Sequence, residues 1–203
     1  HSSEAYTPDG ENQYTPSDIS RTEDANFNVI RVGDELCDAL EAQGLHVLHA
    51  REIYDYPSYT GSYVRSGEAI AEYLAAYPGI RLVIDLHRDA LGDGDTIYKT
   101  LADIDGVMAA QLMFVMGSDV NLENPDWREN LTLALTLQDA VTQRYPTLMR
   151  PTVLCDYRYN QQLCPGYLLL EVGTNGNTLD EALAAVRLFA GATGPLICTW
   201  IEE

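Results

Sequence analysis

Residues 80–89, Ile80-Arg81-Leu82-Val83-Ile84-Asp85-Leu86-His87-Arg88-Asp89, constrain the fold more than any other stretch. Ile80 to Leu86 follows the Pro78-Gly79 turn signal, and its length and β-branched content predict a buried strand rather than a helix. The run then ends in His, Arg and Asp, where such a strand emerges from the core. In open α/β sheets ligands and catalytic groups gather at the carboxyl ends of strands, where side chains converge on a crevice. A lone His after a strand is also an ordinary loop residue, so the rest of the chain must supply partners.

The flanking pattern predicts an α/β fold. Residues 1–25 are polar and turn-rich and read as a long surface loop. A helix is expected from Asn28 to Gln43, where Val29, Val32, Leu36 and Leu40 recur at helical spacing and Gly44 supplies the stop. Leu45 to His49 reads as a strand, and the tyrosine-rich 51–64 as a loop. Ser66 to Tyr77 reads as a second helix. Asp105-Gly106, between Ile97–Ile104 and Val107–Met116, carries the turn chemistry of a β-hairpin. A helix over 126–145, a short strand Val153–Cys155, an apolar strand Tyr167–Val172 containing Glu171, and a helix Leu179–Ala190 complete the series. Strands alternating with helices imply a mostly parallel twisted sheet flanked by helices, with a β-hairpin insertion, in one domain spanning 1–203.

Composition excludes some partners. Among 203 residues, 31 acidic side chains face 12 basic ones, a net charge of −19. That argues against nucleic acid or an anionic membrane as a direct partner. No run approaches the roughly 20 apolar residues of a membrane span. Without an initiator Met or a signal-like segment, the N-terminus reads as trimmed. Cys37, Cys155, Cys164 and Cys198 lack CxxC spacing, so a cysteine zinc site is not expected. Cys155 and Cys164 are placed to pair across a loop in an oxidising compartment, and Cys37 reads as a small buried residue.

The candidate chemistry is metal-assisted. His1-Ser2-Ser3-Glu4 has HxxE spacing, which lets two ligands from one turn share an ion, and His87 is the natural third. Three such ligands leave one position of a zinc ion open for water. Glu171, after Leu168-Leu169-Leu170, is placed to act as general base, and its apolar surroundings should raise its pKa. Arg88 can hold a substrate carboxylate or a developing oxyanion. Asp85 reads as a supporting acid rather than a ligand, and His46 and His49 as surface or core residues. The tyrosines of 54–63, Tyr56 and Tyr59 among them, can line a groove for glycan or stem peptide or simply pack the loop.

At these residues the chain resembles the stage II sporulation protein P family, peptidoglycan hydrolases of endospore-forming bacteria. The resemblance runs from His1 to about Ala190. It is carried by His1-Ser2-Ser3-Glu4-Ala5-Tyr6, Asn28-Val29-Ile30-Arg31-Val32-Gly33, Asp55-Tyr56-Pro57-Ser58-Tyr59, Ile84-Asp85-Leu86-His87-Arg88-Asp89, Met113-Phe114-Val115-Met116-Gly117, Tyr159-Asn160-Gln161-Gln162-Leu163 and Leu170-Glu171-Val172-Gly173-Thr174.

The resemblance implies a fold like the zinc-dependent N-acetylmuramoyl-L-alanine amidases. It also implies cleavage of the bond between the glycan lactyl group and the stem peptide, and of the peptide cross-link, during engulfment. It makes His1 and His87 zinc ligands and Glu171 the catalytic acid/base. Glu4 is the favoured middle ligand, with Glu23 or Asp24, just before the first helix, as the alternative. Family members carry an apolar strand before the first His, which this chain lacks, so the sheet is expected to be one element short. They also carry a membrane anchor, so this chain is expected to be a soluble extracytoplasmic fragment. The expected partner is the lytic transglycosylase stage II sporulation protein D. A carboxypeptidase-like metallopeptidase and a peptidoglycan-binding module without activity are the rival readings.

Overall fold

The computed structural model describes residues 2–8, 20–93 and 95–202. In chain order the elements are α1 (Val29–Glu41), α2 (Ser62–Ala76), β1 (Val83–Asp89), β2 (Gly92–Asp93), β3 (Thr96–Ile97), β4 (Leu101–Ile104), β5 (Val107–Ala110), β6 (Leu112–Gly117), α3 (Trp127–Arg144), β7 (Val153–Cys155), a 3-10 turn (Gln161–Leu163), β8 (Tyr167–Thr174) and α4 (Leu179–Glu202). The main sheet has the order β1-β8-β6-β7. β1 with β8 and β6 with β7 run parallel, while β8 and β6 run antiparallel. This is the expected largely parallel sheet with helices against it.

The expected hairpin is present as β4 and β5, joined through Asp105 (φ 54°) and Gly106 (φ 85°). Two left-handed residues in a row make the turn that matches strand twist, and Asp-Gly adopts it readily.

Alternation along β8 sorts its side chains. Leu168, Leu170 and Val172 face a core with Leu112, Phe114 and Met116 of β6. Leu36 and Leu40 of α1, Leu137 and Val141 of α3, and Val186 and Phe189 of α4 close over them. The Phe114 and Phe189 rings meet edge to face. The opposite face carries Tyr167, Leu169 and Glu171.

Helix ends follow local chemistry. Asn28 caps α1 by accepting from Ile30 N (2.9 Å). Thr178 and Glu181 form a capping box at α4: Thr178 N donates to Glu181 Oε2 (3.0 Å), and Glu181 N to Thr178 Oγ1 (3.3 Å).

Several expectations need correction. Leu45–His49 is not a strand. A strand needs a hydrogen-bonding neighbour about 4.8 Å away, and here a cleft of about 510 Å³ separates the segment from the outer edge of β1. Among the described residues nothing pairs with that edge. His46 is exposed, while His49 Nδ1 lies 2.9 Å from Asp34 Oδ1.

The N-terminal loop is not all surface. Ser3, Glu4, Ala5 and Tyr6 are buried, and short bridges tie Glu4 to Arg21 and Ala5 to Asn28. The four cysteines are free. The Cys155 thiol, at the end of β7, points to the carbonyls of Met116 and Tyr157, so Cys155 and Cys164 form no disulfide.

Finally, α4 runs through Gly191, Gly194 and Pro195 to residue 202. It is one described helix long and apolar enough to cross a membrane, contrary to the expectation of no such run. Its Ala182, Val186, Phe189 and Ile197 are buried in the core, which accounts for the apolar composition.

Candidate functional site

The site grows from the parity of two parallel strands. His87 of β1 and Glu171 of β8 are register partners. Partners on adjacent strands project to the same face, so the imidazole and the carboxylate stand side by side at the carboxyl end of both strands. Asp85 lies two residues earlier on the same face, beside Leu169. On its other side Glu171 neighbours Met113 of β6, a central position that shields much of it from water.

Glu171 is a strongly perturbed carboxylate. Burial pushes its pKa up to about 7; His87 opposes the rise, and Asp89 and Glu4 add to it. Its Oε2 is buried and accepts no hydrogen bond from the described residues. A buried carboxylate oxygen without a donor is costly, and such atoms mark sites that await a ligand or a proton.

Around His87 the structure builds a support. Its Nε2 lies 3.3 Å from Asp85 Oδ1, and Asp85 Oδ2 accepts from the Tyr167 hydroxyl at 3.1 Å. Burial pulls the imidazole down, but Asp85 and Glu171 outweigh it, so its pKa sits above the ordinary value. Burial raises Asp85, yet His87 and the Tyr167 hydrogen bond hold it below the usual carboxylate range. The Tyr63 ring stacks on the imidazole, with centroids 6.1 Å apart and planes 11° apart.

Glu4 is held by a second network. Its backbone carbonyl accepts from Val29 N at the start of α1 (2.9 Å). Its carboxylate pairs with Arg21 Nη2 (3.3 Å), and Arg21 Nη1 also pairs with Asp55. Asp55, fully covered, accepts from Ser3 N (3.1 Å) and Ser3 Oγ (2.8 Å). Asp55 therefore fixes the backbone that carries Glu4. Glu23 and Asp24 are exposed, and Asp24 closes its own turn with Asn26.

The other sequence candidates fall outside this cluster. Arg88 leaves β1 on the opposite face from His87; it is buried, donates Nη1 to Ala5 O (2.9 Å), and its Nε finds no acceptor among the described residues. Its charge stabilises the N-terminal segment rather than facing Glu171. Tyr56 and Tyr59 sit at the surface, the latter with the Arg21 guanidinium 5.5 Å from its ring centre. His1 lies outside the described residues.

Among the described residues no three His, Cys, Asp or Glu side chains meet at metal-ligand spacing. The described donors His87 and Glu4, an imidazole and a carboxylate, have the chemistry of a zinc site. Asp85 behind the imidazole is the usual outer support of such a ligand.

Asp55 and Tyr167 were not singled out from sequence as parts of the site. Asp55 stood in a quoted block without a role. Tyr63, one of the 54–63 tyrosines expected in a loop, stands instead in the first turn of α2, which begins four residues earlier than its apolar pattern suggests. Tyr167 was read only as a strand residue.

An α/β protein with an imidazole and a desolvated carboxylate paired at the carboxyl end of parallel strands is the class that fold and site define. The sequence matches the family model for Stage II sporulation protein P (SpoIIP) over residues 1–193, so the chain belongs to that family. It is 29% identical over 201 residues to "Stage II sporulation protein P" of Bacillus subtilis (strain 168), a match covering 94% of this chain and 47% of that protein. The chain thus spans about half the length of this relative. The structure is similar to N-acetylmuramoyl-L-alanine amidase AmiC2 of Nostoc punctiforme, with a TM-score of 0.49, 16% identity, and coverage of 85% of this chain and 81% of that one.

Proposed function

We propose that this chain is the catalytic domain of a zinc-dependent peptidoglycan hydrolase that cleaves the N-acetylmuramoyl-L-alanine amide bond, and peptide cross-links as a second activity. The observation that carries the reading is the His87–Glu171 pair, with the Glu171 carboxyl pushed up to about 7 by burial. A carboxyl near 7 is half ionised at neutral pH, so it can both take and return a proton.

His1, Glu4 and His87 would hold the zinc ion. When bound there, the ion supplies polarisation of the scissile carbonyl and lowers the pKa of water. The chain's own residues do the rest. Glu171 takes a proton from the attacking water as the C–O bond forms. It then delivers that proton to the amide nitrogen as the C–N bond breaks. Asp85 and Tyr167 fix the plane of the His87 imidazole, and Asp55 with Arg21 fixes Glu4.

The reading places the domain outside the cytoplasm, acting on the cell wall during sporulation, with stage II sporulation protein D as the glycan-cutting partner.

The test is digestion of purified sacculi in the presence of zinc, with product analysis by mass spectrometry. Wild type should release free stem peptides, and Glu171→Gln should not. Stems shortened while still attached to glycan would support the carboxypeptidase-like reading instead. A wild type that binds sacculi and releases nothing would make the chain a binding module.

A further inference from the structure

Four aromatic rings run in series from solvent to the buried imidazole. Tyr157 is 68% exposed. Its ring centre lies 6.3 Å from that of Tyr159, Tyr159 lies 5.5 Å from Tyr63, and Tyr63 lies 6.1 Å from His87. Single exposed aromatics are common and mean little. This series differs because the loop that carries its outer half is pinned on every side.

The pins are independent. Gln161, fully buried, accepts from Gly117 N (2.9 Å) and donates to Val115 O (2.9 Å), fastening the loop to the end of β6. Asn160 Nδ2 donates to Tyr63 O (2.9 Å) and Ser66 Oγ (3.2 Å), fastening it to α2. At Gly117 the backbone of 157–158 passes so close that a Cβ would lie 2.4 Å from Tyr157 O. Tyr159 (φ 44°) and Asn160 (φ 66°) both sit in the left-handed region. Non-glycine residues reach it at a cost and stay there only when their surroundings hold them. The pinned loop holds Tyr157 and Tyr159 in the series of rings that leads to His87.

We infer that Tyr157 and Tyr159 form a sugar-binding subsite that seats the glycan strand beside the His87–Glu171 centre. This deepens the hydrolase reading and rests on it for the link to cleavage. The C–H face of a pyranose stacks on a flat neutral ring while its hydroxyls stay in water, which suits half-exposed tyrosines. A stem peptide fits less well. Its carboxylates would meet a protein of net charge −19, and the loop's cation, Arg158, donates Nη1 to Glu123 O (2.5 Å).

The experiment measures binding without cleavage. Chitohexaose, which has no lactyl amide, is titrated into wild type, Tyr157→Ala, Tyr157→Phe and Tyr159→Ala by calorimetry, with a free stem pentapeptide as the second probe. Chitohexaose should bind wild type and Tyr157→Phe alike, because stacking uses the ring face and not the hydroxyl. Each alanine variant should lose about tenfold in affinity, as expected for one stacked ring. Tyr157 is exposed, so its alanine variant should keep the wild-type melting temperature. The inference is overturned if wild type does not bind chitohexaose or if Tyr157→Ala binds it equally well. It is also overturned if the pentapeptide is the probe whose binding Tyr157→Ala abolishes. Should sugar binding behave as expected while zinc-loaded wild type leaves sacculi intact, the hydrolase reading falls and the subsite stands.

Discussion

The two faces of β1 and β8 are made by the same alternation and do opposite things. On one face Leu168, Leu170 and Val172 are buried under three helices, with Ile84 and Leu86 partly buried against them. On the other, one residue out of step, Asp85, His87, Leu169 and Glu171 face α2 and the loops. The first face stabilises by removing apolar area from water. The second removes carboxylates and an imidazole from water, which costs stability and yields reactive groups. A one-residue register slip would exchange them, so the packing that defines the core also defines the site.

The contrast is sharpest in activity. Glu171→Gln should lower zinc-dependent release of stem peptides by at least a hundredfold, the usual worth of a general acid/base, while leaving the fold intact. Leu170→Ala, one residue away, should cost about 2–5 kcal/mol in urea unfolding and keep the activity of whatever fraction stays folded. If Glu171→Gln unfolds the protein as readily as Leu170→Ala does, the two faces are not functionally distinct.

A pH titration of stability comes next. Glu171 has a folded pKa of about 7, above its ordinary value near 4.3. The folded state therefore holds a proton that the unfolded chain has released between these values. Its contribution is complete below the unfolded pKa and is lost as pH rises through 7, amounting to about 4 kcal/mol in zinc-free protein. His87, also raised, acts in the same direction over its own range. Urea unfolding from pH 4.5 to 7.5 should show the decline, and Glu171→Gln should flatten most of it.

Smaller effects concern the supports. Asp85→Asn should weaken zinc binding by about 10- to 100-fold in a chelator competition, as loss of an outer partner of a metal-bound His does. Asp55→Asn should cost about 1–3 kcal/mol, since Ser3 and Arg21 lose a buried charged acceptor. Reducing agent should leave the melting temperature unchanged, because the cysteines are free.

Much of this was legible before the structure. The apolar run ending in His87, the apolar run around Glu171 and the Asp105-Gly106 turn carry strong local signals, and each formed close to where expected. The elements that went astray depended on neighbours. Leu45–His49 has a strand's composition but no strand beside it. The last helix is expected to end at Ala190, whereas packing carries α4 on through Gly191, Gly194 and Pro195. The site was legible in its chemistry and not in its supports. His87 and Glu171 stand as register partners, with Glu4 near enough to act on the Glu171 charge, but Asp55 and Tyr167 act through contacts 52 and 82 residues distant in sequence. Arg88 shows the limit of adjacency: next to His87 in the chain, it faces the other way because a strand alternates.

The most direct measurement is the titration of the Glu171 side-chain carboxyl carbon by NMR in zinc-free protein, assigned by comparison with Glu171→Gln. A midpoint near 7, with a coupled response at the His87 ring, is the predicted result. A midpoint in the ordinary carboxylate range, with no response at His87, would contradict a desolvated carboxylate standing beside that imidazole.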